Sequence, residues 1–203
     1  VLVKKSILVI AMLAIPMSVY FIFEAKDSVC LLASNTYLPS VFGMQILMPI
    51  LIVSGFSNIV GNQILLPRGE DKYFMTAVTT GAVVDFLFNM FLLPKYGFIG
   101  AAVATLIAEI SQASIQTFYA RNIIKKCINV KELLKIIVSS GVSSFIIFLL
   151  RNYIDFNAFI NLCITAISFG IVYIVLLWGL KVEIFLSLKN QMMGQIKSIL
   201  SKK

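Results

Sequence analysis

Two carboxylic acids of this sequence lie deep inside long apolar segments. Asp85 stands within YFMTAVTTGAVVDFLFNMFLL (residues 73–93), and Glu109 stands within FIGAAVATLIAEISQASIQTFYA (residues 98–120). An ionised carboxylate at the centre of a lipid-facing helix costs about 2.5 to 3.5 kcal/mol, so both groups are expected to face protein or water. Buried carboxyls of this kind take up protons or hold cations. Asp85 and Glu109 are therefore the candidate ion-coupling and cavity residues.

The two acids are expected to meet at one depth in the membrane. The segments that carry them are joined by the short turn PKYG, residues 94–97. At a rise of 1.5 Å per residue, Asp85 and Glu109 lie roughly 14 and 18 Å below that turn. Two helices that leave the same turn side by side would bring the acids together.

Polar and small side chains recur at helical spacing around both acids and on the preceding helix. The three stripes are Ala77, Gly81, Asp85 and Asn89; Thr105, Glu109, Gln112 and Gln116; and Ser54, Ser57, Asn58, Gly61 and Asn62. One interpretation is a hydrated cavity in which amides contact a polar substrate, and its candidate residues are Asn58, Asn62, Asn89, Gln112 and Gln116. The other is packing between helices, where such amides contribute about 0.6 kcal/mol each. The spacing alone leaves both open.

The composition places these helices in a membrane. The chain has 203 residues, of which 60% are hydrophobic and 13% charged, whereas soluble domains are roughly half apolar and about a quarter charged. The mean hydropathy is +0.97. Soluble-enzyme folds are therefore excluded, and the predicted fold is an all-α, polytopic membrane helix bundle.

The chemistry of a membrane enzyme or a metal site finds little support. The chain has no His, and its three Cys have no paired spacing, so we predict no metal site, no catalytic residue and no cofactor beyond a coupling H+ or Na+. A membrane polysaccharide polymerase or glycosyltransferase is disfavoured because the outer loops are short and lack paired carboxylates. The net charge of +8 is interpreted as membrane topology, not as a nucleic-acid site.

Six segments are long and apolar enough to cross a bilayer, which takes about 20 residues. They form a predicted transmembrane bundle over residues 1–180, followed by a basic amphipathic tail over residues 181–203. In that tail, apolar residues from Ile184 to Leu200 recur at helical spacing, which predicts an interfacial helix. The predicted spans are 7–23, 39–66, 73–93, 98–120, 133–150 and 156–180.

The distribution of Lys and Arg predicts the orientation. Fourteen of these residues fall at the two ends of the chain and in the connections near Arg68 and Lys126, and three fall in the opposite loops, at Lys26, Lys95 and Arg151. Because short basic loops stay in the cytoplasm, both termini are expected there. The chain begins with Val1, and we expect it to be a portion of a longer protein.

About sixty residues resemble a known family. NQILLPRGEDKYF and NMFLLPKYGFIGAAVATLIAE, within residues 62–120, are similar to the C-terminal half of Wzx-type polysaccharide flippases of the multidrug/oligosaccharidyl-lipid/polysaccharide transporter superfamily. The run from Gly97 to Thr105 is the most distinctive part. Over the other residues the similarity is in span lengths alone. Basic residues deep in the spans, which the resemblance leads one to expect, are absent.

The resemblance implies a multi-pass protein of the bacterial cytoplasmic membrane that forms one half of a transporter with twelve to fourteen helices. It would move undecaprenyl-diphosphate-linked oligosaccharide units outward by alternating access, for capsule, O-antigen or exopolysaccharide synthesis. The implied partners are this lipid-linked oligosaccharide, membrane lipids, a missing N-terminal half or a second copy, and polysaccharide polymerase machinery. Three alternatives stay open: a cation-coupled drug exporter of the same superfamily, a scaffold, and a fragment that transports nothing.

Overall fold

A computed structural model describes residues 2–151, 157–187 and 189. All the regular secondary structure in these residues is helical, and five helical segments are long and apolar enough to cross a membrane. The predicted α-helical membrane bundle is thereby confirmed. The helices are α1 (Leu2–Phe23), α2 (Ala25–Ala33), α3 (Ser40–Leu47), α4 (Ile50–Ile59), α5 (Asp71–Cys127), α6 (Val130–Arg151) and α7 (Ala158–Gly179).

Helix α5 contains two of the predicted spans and bends back on itself between them. Its 57 residues are helical except at Gly97, where φ is +56° and ψ is −137°. The turn predicted at PKYG is shorter in the structure, because the chain stays helical through Pro94 and reverses at Gly97, the last of these four residues. That backbone conformation is open almost only to glycine, since a Cβ atom would clash with the neighbouring peptide groups.

The two arms of α5 (residues 71–96 and 98–127) pack against each other as an antiparallel hairpin. At the open end the rings of Tyr73 and Tyr119 stack with their centroids 3.9 Å apart. Near the bend, Gly100 lies so close to the carbonyl of Leu92 that a Cβ atom would not fit there. Each arm is about 40 Å long at 1.5 Å per residue, more than the hydrocarbon thickness of about 30 Å. Six spans require that α5 cross the membrane twice, and the hairpin has the geometry for two crossings. The number of six spans stays a prediction.

Helices α1, α6 and α7 share one apolar core. A proline of α1 leaves one backbone carbonyl in this core without its helical donor, and a side chain of α7 supplies the hydrogen bond. Pro16 lies inside α1 and has no backbone N–H, so the carbonyl of Met12 loses its helical donor. The hydroxyl of Tyr173 on α7 donates a hydrogen bond of 2.8 Å to that carbonyl. Around this contact the core includes Leu8, Ile15, Ile136, Ile147, Phe169 and Leu177.

A second apolar cluster joins α4 to the second arm of α5. Helix α4 begins after Pro49, at a turn that separates it from α3, and continues as a π-helix (Val60–Leu65) and a 3-10 turn (Leu66–Arg68). The predicted span 39–66 is thus a broken helix, with the break at its internal proline. The buried members of the cluster are Val60, Ile64, Leu65, Ala120 and Ile124.

Two connections differ from the sequence-based expectation, and one prediction lies outside the described part of the chain. The loop predicted at Lys26 contains α2, and residues 121–127, predicted as part of the connection near Lys126, extend α5. Of the predicted tail helix from Ile184 to Leu200, only residues 184–187 and 189 are described. Residue 156 of the last predicted span is also outside the described residues.

Candidate functional site: a carboxyl cleft between the arms of α5

Asp85 and Glu109 line one cleft between the two arms of α5. The cleft has a volume of about 240 Å³, and each arm contributes four residues to its wall. The antiparallel hairpin places the two carboxyl groups on opposite walls at similar depth, as the sequence stripes predict. The other lining residues are Val78, Gly81, Ala82, Thr105, Ala108 and Gln112.

Asp85 is held by an asparagine one turn along its own helix. The side-chain amide of Asn89 donates to the Asp85 carbonyl oxygen at 3.0 Å and to its Oδ1 at 3.1 Å. This hydrogen bond restricts the orientation of the Asp85 side chain. In this conformation the Asn89 amide is therefore bonded to Asp85, and its contact with substrate stays a prediction.

Glu109 has a buried oxygen without a donor. Its Oε2 is inaccessible and has no hydrogen-bond partner among the described residues. Burying a charged oxygen without a hydrogen bond costs free energy, because the lost hydration is not replaced. A proton or a cation bound at this oxygen would offset that cost. The cleft thus combines one carboxyl group with a donor and one without.

The glutamines of the second arm connect the cleft to α4. The Ser57 hydroxyl donates a 2.8 Å hydrogen bond to Gln116 Oε1, and the Gln112 amide donates to Ser57 Oγ at 3.3 Å. Gln116 is only 1% exposed, so in this conformation it joins two helices. Gln112 does so too while also lining the cleft. Their predicted role as substrate contacts stays a prediction.

Asn58 and Asn62 lie on another face of the chain, outside the carboxyl cleft. Both are exposed; the Asn58 amide donates to the Ser54 carbonyl at 3.0 Å, and the Asn62 amide donates to Asn58 Oδ1 at 3.4 Å. Successive residues of a helix are about 100° apart, so when Ser57 faces α5, Asn58 turns away from it. The five predicted amides therefore divide into a group at α5 and an exposed asparagine row, Asn58 and Asn62.

Two buried acids were not anticipated from the sequence. Glu24 follows α1 directly, and it is only 1% exposed and lines a cavity of about 350 Å³ together with Gln45. Nothing in the local sequence indicates its burial, which results from α2 folding against α7 and α3. Glu132 is 3% exposed. The sequence gives one indication of its ion pair, because Lys135 follows three residues later, a spacing at which side chains of a helix can meet.

Glu132 connects two distant parts of the chain. Its Oε1 accepts a 2.7 Å hydrogen bond from the Lys135 ammonium, and its Oε2 accepts a 2.9 Å bond from the backbone N–H of Glu183. The contact fixes the segment after α7 against the start of α6. In residues 2–151 and 157–187, no three His, Cys, Asp or Glu side chains are grouped so that they could hold a metal ion.

Comparison with known proteins gives one distant similarity. The chain is 26% identical over 182 residues, 89% of its length, to the uncharacterized membrane protein MJ1068 of Methanocaldococcus jannaschii. The matched part is 35% of that relative, so the chain spans about a third of its length. No family model and no solved structure matches. The similarity agrees with the structure on one point: the chain is a membrane protein.

Proposed function

We propose that this chain is part of a transporter that moves undecaprenyl-diphosphate-linked oligosaccharide units across the bacterial cytoplasmic membrane by ion-coupled alternating access. The observation that carries the proposal is the buried Oε2 of Glu109, which has no donor among the described residues and faces Asp85 across a cleft. Packing between helices does not require a carboxylate, whereas ion coupling does. The role is transport and not catalysis.

The ion acts by preferring one conformation. A proton or Na+ at Glu109 stabilises the closed cleft, because it removes the cost of the bare anionic oxygen. When the cleft opens to water, hydration of the carboxylate replaces the ion and favours its release. An ion shifts a conformational equilibrium only by its difference in affinity for the two states. In this proposal, closure of the α5 hairpin makes the affinity of the cleft for the ion differ between the two states.

The asparagine row provides the polar surface for a sugar. Asn58 and Asn62 are exposed, and Asn62 lies within the π-helix Val60–Leu65, a distortion that is frequent at functional sites. Amides at membrane depth need polar partners, and oligosaccharide hydroxyls are suitable ones. In this proposal a further half of the transporter, or a second copy, forms the other wall. Both termini lie in the cytoplasm, and polysaccharide polymerase machinery receives the product.

A drug exporter is the second candidate. The cleft holds two carboxyl groups and no basic side chain, which also suits a cationic small molecule. In that case Asp85 and Glu109 would bind the substrate itself. A cationic substrate would compete with protons or Na+ for the cleft.

The experiment is complementation of a flippase-deficient bacterial strain with the full-length gene, scored by surface polysaccharide at matched protein level. Restored polysaccharide supports the flippase. In parallel, the same cells are tested for resistance to cationic dyes. Resistance without restored polysaccharide, across several repeat-unit donors, would replace the flippase with the exporter.

A further inference from the structure

A second groove lies between α4 and the second arm of α5, away from the carboxyl cleft. Its volume is about 610 Å³. Apolar side chains line most of its length, among them Ile52, Val53 and Phe56 of α4 and Ile110 and Ala113 of α5. On a membrane protein such a groove faces acyl chains, and its concave shape lets one chain contact two helices at once.

One end of this groove carries a positive charge. Arg121 lines the groove, and its guanidinium carbon lies 5.0 Å from the centre of the Phe118 ring. The ring is 60% exposed, and its π face holds the cation at the mouth of the groove. Among the described residues, the ion pairs join Arg68 to Glu70 and Lys135 to Glu132. The charge of Arg121 is therefore not neutralised by a described carboxylate.

A second cation lies on the same face of the helix. Lys125 follows Arg121 by four residues and is exposed, and like charges at this spacing repel each other. An anion at the mouth of the groove would relieve that repulsion. The end of α5 that carries both cations is the predicted cytoplasmic end, and anionic lipid headgroups attract basic side chains at that surface.

We propose that the groove binds one anionic phospholipid of the surrounding bilayer. An acyl chain lies along the apolar walls between α4 and α5, and the phosphate receives hydrogen bonds from the Arg121 guanidinium. Arginine suits this role because its planar, permanently charged fork matches phosphate oxygens. The proposal concerns a resident lipid and does not depend on the transported substrate.

The test uses the full 203-residue chain, purified in detergent and titrated with phosphatidylglycerol or phosphatidylcholine under native mass spectrometry. The wild type is expected to retain phosphatidylglycerol more tightly. Arg121→Gln is expected to weaken this retention about fivefold, which is the effect of one cation at a membrane surface. Lys131→Gln, at the same end of the bundle but outside the groove, is the matched control and retains the lipid as the wild type does.

A second variant fills the groove without touching the core. Ser114 is exposed on the groove wall, so Ser114→Trp is expected to exclude the acyl chain and to abolish tight binding. Thermal unfolding in phosphatidylcholine confirms that each variant is folded. Equal retention of the two lipids by the wild type overturns the proposal, as does equal loss in Arg121→Gln and Lys131→Gln. A lipid-free dimer that Ser114→Trp dissociates would assign the groove to a second copy.

Discussion

The Tyr173 hydroxyl donates a 2.8 Å hydrogen bond to the Met12 carbonyl, the carbonyl that Pro16 leaves without its helical donor. We expect Tyr173→Phe to lower the free energy of unfolding by about 0.6 to 1.7 kcal/mol, the range for hydrogen bonds between membrane helices. The measurement is unfolding in mixed micelles, with Tyr96→Phe on an exposed surface as the control.

The same contact permits a double-mutant test. Pro16→Ala restores the backbone N–H that reaches the Met12 carbonyl. In that background Tyr173→Phe is expected to cost less than it does in the wild type, because the carbonyl keeps a donor. An equal cost in both backgrounds would contradict the assignment of Tyr173 as the replacement for the missing backbone donor.

The bend of α5 depends on the backbone of Gly97. Both Gly97 and Gly69 have positive φ, and apart from the adjacent residues no atom lies within 4 Å of an added Cβ atom, but Gly69 lies in the left-handed helical region, with φ +69° and ψ +21°. Asparagine tolerates that region and not the conformation of Gly97. Gly97→Asn is therefore expected to destabilise the protein by about 1 to 3 kcal/mol, and Gly69→Asn by less.

Thiol cross-linking between the arms checks the structural consequence of that change. Cysteines introduced at Tyr73 and Tyr119, whose rings stack in the hairpin, in a chain whose native cysteines are replaced by serine, are expected to be joined by a short bifunctional thiol reagent, and less efficiently with Gly97→Asn. Unchanged cross-linking together with unchanged stability would show that the bend does not require glycine.

The Glu132 contact is expected to be worth more than an exposed ion pair. Glu132→Ala leaves the Glu183 N–H without its acceptor and leaves the Lys135 ammonium with only the Lys181 carbonyl, 3.5 Å away, at a cost of about 1 to 3 kcal/mol. Glu70→Ala removes the more exposed pair with Arg68 and is expected to cost about 0 to 1 kcal/mol. Urea or thermal unfolding of the two variants compares these costs, and equal losses would contradict the account.

Proteolysis gives a second measure of the same contact. With Glu132→Ala, cleavage after Lys181 by trypsin is expected to become faster, because the Glu183 N–H no longer anchors that segment to α6. Glu132→Gln keeps an acceptor oxygen and should protect Lys181 better than alanine. Identical cleavage rates in all three chains would show that the contact does not hold the segment in place.

Sequence periodicity predicts which residues share a helix face, but not which neighbour that face meets. The facing of Asp85 and Glu109 was predictable because both acids lie on stripes that start from one turn. The separation of Ser57 from Asn58 was not, since it depends on the rotation of α4 about its axis, which packing determines. Burial of Glu24 likewise results from long-range packing of α2 and has no local signal.

The positions at which the helices are interrupted or reversed were predictable in part. Pro49 coincides with the turn that separates α3 from α4, whereas Pro94 lies inside α5 and the turn occurs three residues later, at Gly97. A proline restricts the residue before it and removes one hydrogen bond, but only glycine adopts the backbone angles that reverse the helix here. Tyr173, which donates to the Met12 carbonyl that Pro16 leaves without a donor, is 161 residues from Met12 and could be found only in the folded chain.

The carboxyl cleft is tested most directly by transport in the complemented strain with Glu109→Gln and Asp85→Asn, at matched membrane expression. Both variants are expected to insert normally and to lose most of the surface polysaccharide, whereas Thr79→Ala, at an exposed position of the first arm that does not line the cleft, keeps it. The loss is expected to be larger for Glu109→Gln, because its oxygen has no other partner. Full transport by both carboxyl variants would contradict ion coupling at the cleft and leave the two acids as packing residues.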